Sequence, residues 1–156
     1  MRFDLSAVPS GLSRVYLQLH PLSKTNFAEG EWLYVKGIEE GVEWKDWTDE
    51  TAPGWNKAFP GRQRAADPAV EGFCGRIAAS EIRIGEPFKL DVTAAVLQAI
   101  AAGRTSCTLH LYLDDPDKNA NCEFYSRETS AMVGYRAKLL CVKRNWRGPG
   151  MMVIFR

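Results

Sequence analysis

Apolar and polar residues alternate along most of this chain. Val15-Tyr16-Leu17-Gln18-Leu19-His20 places an apolar side chain at every second position, the period of a strand with one buried face. Trp32-Leu33-Tyr34-Val35-Lys36 repeats the pattern with Leu33 and Val35 inward, and Phe88-Lys89-Leu90-Asp91-Val92 follows. Cys107 to Leu113 is the clearest strand, and Glu123-Phe124-Tyr125 and Lys138 to Val142 complete the set. Met1-Arg2-Phe3-Asp4-Leu5 alternates in the same way. Short strands parted by Gly, Pro, Asn and Asp clusters predict an all-β antiparallel sandwich rather than a βαβ fold. One helix interrupts them, over about residues 93–102. Thr93 stands where a cap would, Gly103 where a helix ends, and Val96, Leu97 and Ile100 form one stripe. Such a helix is expected as a lid over one end of the sandwich. The stretch from Gly41 to Arg83 reads as a long irregular connection. Its Trp44, Trp47, Trp55, Phe59 and Phe73 either fold it onto the core or line a site.

At 156 residues the chain has the length of one domain with a real core. Its formal net charge of +1 gives no electrostatic case for nucleic acid or an anionic membrane as partner. No apolar run is long enough to span a bilayer. The strand-like N-terminus is unlike a signal peptide, which is expected of an intracellular protein or of a domain from a longer secreted one. Cys74, Cys107, Cys122 and Cys141 contain no C-x-x-C pair, which argues against a zinc knuckle. Cys107 and Cys141 read as small core residues, and spacing alone assigns no disulfide.

The outward positions of the best strands carry the candidate chemistry: Tyr16, Gln18 and His20, Tyr34 and Lys36, His110 and Tyr112. If these strands share one sheet, its solvent face combines aromatic rings with hydrogen-bonding groups. Sugars need both, because their C–H faces stack on rings and their hydroxyls need donors and acceptors. Tyr and Thr also favour strands for conformational reasons alone. Asp114-Asp115-Pro116-Asp117-Lys118-Asn119 is rich in oxygen and could suit calcium, but lacks the spacing of an EF-hand; turn chemistry explains it equally. Trp47 and Trp55 are expected to pack the long connection against the sandwich. Catalysis has little support: neither histidine adjoins a nucleophile, and neither G-x-S-x-G nor H-E-x-x-H occurs. The adjacent carboxylates Glu39-Glu40 and Asp49-Glu50 say nothing of the separation a glycosidase needs.

Several segments together resemble the DNRLRE-type domains, related to the repeats of archaeal disaggregatases. Arg2 to Gly11 resembles their opening strand and turn, and Trp47-Thr48-Asp49-Glu50 with Trp55-Asn56 their W-[ST]-E…TWN segment. Leu90 to Val96 is similar to their D-V-T-x-x-V, Phe124-Tyr125-Ser126-Arg127-Glu128 to their F-Y-S-R-E, and Ala137-Lys138-Leu139 to their P-K-L. The resemblance covers roughly residues 2–143. It implies a jelly-roll β-sandwich of the kind attached to secreted polysaccharide lyases, hydrolases and adhesins, some of which bind acidic polysaccharides such as alginate. Arg127 would then either grip a sugar carboxylate or pair internally with Asp91 or Glu128. Two departures stand out. The relatives carry a further strand region before the Phe3-Asp4-Leu5-Ser6 segment, so an edge is expected to be bare here. Residues 145–156 form an unfamiliar tail, set apart from a sandwich domain at 1–144. In it Arg147-Gly148-Pro149-Gly150 signals a turn and Met151 to Phe155 a strand that pairs with Leu139–Val142 or fills the bare edge.

The expected function is that of a non-catalytic carbohydrate-binding module for an acidic polysaccharide, extracellular and part of a larger multidomain protein. A structural or adhesive spacer domain and a small polysaccharide lyase using His110, Tyr112 and Arg127 are the rival readings. No cofactor is expected beyond the calcium option.

Overall fold

A computed structural model describes residues 1–27, 30–38, 73–113, 120–125, 134–143 and 153–155. Strands β1 (Arg2–Asp4), β2 (Leu12–Leu19), β3 (Pro21–Thr25), β4 (Trp32–Ile38) and β5 (Phe73–Ala78) come first. After a 3-10 turn, Ala79–Glu81, follow β6 (Phe88–Asp91), helix α1 (Thr93–Ala101), β7 (Ser106–Leu113), β8 (Asn121–Phe124), β9 (Lys138–Lys143) and β10 (Val153–Phe155). One four-stranded sheet runs β1-β7-β4-β5 and a second runs β10-β9-β2-β6, while β3 and β8 form a two-stranded ladder. Every pairing is antiparallel. The chain repeatedly crosses from one sheet to the other, giving the jelly-roll-like antiparallel β-sandwich expected from the alternating pattern.

The core lies between the two four-stranded sheets. Phe3, Val35, Cys107 and Leu109 from one meet Val15, Leu17, Leu19, Leu90, Leu139 and Cys141 from the other. These are the inward positions of the alternating runs, so period two has placed them correctly. Burying several fully enclosed Leu and Val side chains, each worth about 1.5–3 kcal/mol, is the main force holding the sheets together.

The helix differs from expectation in two details. Its buried side is Ala95, Val96 and Ala99, whereas Leu97 and Ile100 are each 39% exposed. It packs against β2, β4, β5 and β7, and methyl side chains let it approach them closely. Nor does Thr93 cap the first turn: the N-cap position is Val92, with no side-chain bond. Thr93 instead serves the sheet. Its Oγ1 accepts the Val15 N–H at 2.9 Å, extending the β2–β6 ladder past Val92, whose N–H donates to the Val15 carbonyl at 2.9 Å. The hydroxyl proton goes to Asp91 Oδ1 at 2.6 Å, which also accepts the Thr93 N–H at 2.9 Å. The Asp91-Val92-Thr93 segment is therefore a strand-to-helix clip. At the other end Gly103, at φ 70°, closes the helix with paired bonds from Gly103 N–H to Ile100 and Arg104 N–H to Ala99.

Strand β5 lies inside the stretch read as an irregular connection. Gly75 breaks its pattern for a steric reason, since a Cβ there would come 2.9 Å from the Asp91 carbonyl oxygen. At the C-terminus β10 pairs with β9 in the register Val153↔Cys141, Ile154↔Leu140, Phe155↔Leu139. The apolar tail thus adds the outer strand of the second sheet, as its composition suggested.

Candidate ligand-binding site

The predicted outward set divides between two faces. Tyr34, Lys36, His110 and Tyr112 come together on the outer face of the β1-β7-β4-β5 sheet, where Tyr34 pairs with Tyr112 and Lys36 with His110 in direct register. Tyr16 and His20 follow β2 into the other sheet, on the opposite side of the sandwich. Alternation separates inward from outward residues but carries no information on which strands are neighbours. A single binding face built from all of them is therefore excluded.

The first cluster is also not a solvent face. Tyr34 is 4% exposed, Tyr112 7% and Lys36 9%. The two tyrosine rings stack at 5.3 Å between centroids with planes 7° apart, and His110 lies 6.0 Å from the Tyr112 ring. Burial first, then the positive charges of the Met1 amine and Lys36, push the His110 pKa down to about 4. This imidazole is neutral at neutral pH, and the cluster behaves as a second packed layer rather than a sugar platform. At the border of the same face Arg76 lies over the half-buried Trp32, 4.1 Å from its ring centroid.

The second group is different. Tyr16 and Gln18 project from the outer face of β2, alternating with buried Leu17 and Leu19, and His20 follows directly after its last residue. The Gln18 amide nitrogen lies 3.0 Å from His20 Nε2. His20 meets the ring of Tyr135 edge-on at 4.9 Å, and Tyr135 meets Tyr125 at 5.2 Å with planes tilted by 39°. Tyr135 is 39% exposed and Tyr125 half-buried, so this ring pair reaches solvent. Lys138, paired with Gln18 across β2 and β9, adds positive charge, and its Nζ donates to the Gly134 carbonyl at 2.6 Å. Burial and then Lys138 hold the His20 pKa below its ordinary value. Ser23 and Glu123, joined at 2.6 Å across the β3–β8 ladder, stand on the strands that lead into this end.

Tyr125 and Tyr135 were not among the predicted site residues. Tyr125 had a signal, since it lies within the F-Y-S-R-E segment; Tyr135 had none, as it belongs to no alternating run. Arg127, the oxygen-rich loop 114–119, Trp47 and Trp55, and the 147–150 turn lie outside the described residues. Among the described residues no three His, Cys, Asp or Glu side chains gather as metal ligands. None of the four cysteines forms a disulfide. Burial raises all four thiol pKa values, to about 11 for Cys107 and Cys122, so they are protonated and poorly nucleophilic at neutral pH. No helix among the described residues is long and apolar enough to cross a membrane. Comparison with protein-family models and with curated proteins found no match.

Proposed function

We propose that the chain is a non-catalytic carbohydrate-binding module for an acidic polysaccharide, working as an extracellular targeting domain of a larger protein. The observation that carries this reading is the solvent-reaching Tyr125–Tyr135 pair beside Gln18, His20 and Lys138. A sugar ring can stack its C–H face on Tyr135, while the imidazole and ammonium groups offer the donors its oxygens need. Lys138 supplies charge for a uronate carboxylate. The motif resemblance to DNRLRE-type domains supports the same class, and its F-Y-S-R-E segment contains Tyr125. A module of this kind acts through effective concentration, holding an attached enzyme or surface near its glycan.

The test is affinity electrophoresis in alginate, pectin and xylan, with parallel assays for reducing ends and unsaturated products. Retarded migration without product formation is expected. Product formation that disappears on substituting His110 or His20 would replace this reading with a lyase. The closed Tyr34–Tyr112 face favours a second reading, a structural spacer, which predicts no retardation in any of the three gels.

A further inference from the structure

His20 is 8% exposed, yet its Nδ1 is buried with no hydrogen-bond partner. Buried polar atoms are nearly always paired in folded proteins, so an orphan beside the exposed Tyr125–Tyr135 pair points to a partner that the fold itself does not supply. The other ring nitrogen is already engaged. An amide N–H only donates, so Gln18 donates to Nε2 and the ring proton resides on Nδ1. The edge-on contact with Tyr135, with planes 79° apart, holds the imidazole in a fixed orientation against the exposed ring pair. Burial and then Lys138 hold its pKa below the ordinary value, which favours the neutral imidazole.

We infer that His20 is the specificity-determining donor of the Tyr125–Tyr135 site: its Nδ1–H binds an acceptor oxygen of the sugar, and Gln18 is the positioning residue that fixes its tautomer. With Lys138 alongside, a carboxylate oxygen is the favoured acceptor. The inference rests on the reading of this end as a sugar site, and it assigns a role that neither alternation nor the motif resemblance specifies. Gln18 reaches the ligand only through His20. Its removal should free the imidazole to exchange tautomers even before any sugar is added.

The chain has two histidines, so nitrogen-15 spectra of the imidazoles report each one separately. The full chain would be titrated with an alginate tetrasaccharide at pH 7.5. The free protein should show His20 with its proton on Nδ1. Addition of the tetrasaccharide should move the His20 signals and leave those of His110 in place. His20→Phe, which keeps a ring edge against Tyr135, should weaken binding about tenfold, as loss of a hydrogen bond to a charged acceptor does. Gln18→Ala should weaken it less and mix the His20 tautomers in the free protein. If the tetrasaccharide binds while the His20 signals stay still, or if His20→Phe binds as the parent does, the inference fails and the sugar site stands without it. If the parent binds no fragment of alginate, pectin or xylan, the underlying reading fails first. The parent spectra decide the matter even if a variant does not fold.

Discussion

Two tyrosine pairs stand in different parts of this fold and have opposite physical characters. Tyr34 and Tyr112 face each other across β4 and β7, nearly coplanar and almost fully buried. Tyr125 and Tyr135 meet at a tilt, with Tyr135 open to water. The first pair sits beside a neutral, half-buried His110, the second beside His20 with an unsatisfied Nδ1. An aromatic pair on an outer face is thus not in itself a binding platform. On the proposed reading, what separates packing from recognition is access to solvent together with a polar atom that the fold leaves unsatisfied.

The largest expected effect breaks this contrast if it fails to appear. Tyr34→Ala or Tyr112→Ala should cost about 3–5 kcal/mol of stability, as removal of a buried aromatic ring does, whereas Tyr135→Ala should cost about 1 kcal/mol or less. Urea unfolding of the three variants measures this. Equal losses would mean that the two pairs are packed alike.

The histidines sharpen the contrast next. Folding lowers the His110 pKa from its ordinary 6.5 to about 4, so between those values the unfolded chain binds the proton more readily than the folded one. The stability that depends on a neutral His110 is complete above pH 6.5 and is lost as the pH falls toward 4. That loss should amount to on the order of 2 kcal/mol after allowance for the partial exposure of the ring. Melting temperatures of the parent and of His110→Leu, followed across this window, should differ in slope, the parent falling more steeply as the pH drops. The folded-state shift of His20 acts in the same direction. Parallel melting curves for the two proteins would show that His110 is not the group responsible.

Smaller effects should separate the frame of the sandwich from its ligand end. Thr93→Val removes the acceptor for the Val15 N–H and should cost about 1–2 kcal/mol without altering affinity for a polysaccharide. Deletion of residues 148–156 removes β10 from β9. It should lower the melting temperature by a few degrees or promote self-association through the uncovered strand. A change in sugar affinity in the Thr93 variant would show that the two regions are coupled.

Much of the fold was legible because the core is built from strict alternation. Val15, Leu17 and Leu19, Leu90, Leu109 and Leu139 all point inward as their spacing requires. Strand β3 was hidden by Pro21 and a polar composition, and β5 by the glycine that its close approach to Asp91 demands. Leu97 and Ile100 misled the reading of the helix, because the closely packed side needed the small Ala95 and Ala99. The candidate site was legible only in fragments. Tyr16, Gln18 and His20 were correctly placed together on one face, and so were Tyr34, Lys36, His110 and Tyr112. Whether all seven share one sheet was left open, because strand order is set by long-range pairing, which local periodicity does not encode; β2 lies in one sheet and β4 and β7 in the other. Burial of Tyr34, Lys36 and Tyr112 was equally invisible, since their polar tips make them read as solvent-facing positions.

The most direct test follows the ring protons of the five tyrosines while the protein is titrated with an alginate tetrasaccharide. The account predicts that the signals of Tyr125 and Tyr135 shift on binding while those of Tyr34 and Tyr112 remain where they were. Movement of the Tyr34 and Tyr112 signals with Tyr125 and Tyr135 unchanged would place the ligand at the buried pair and contradict it.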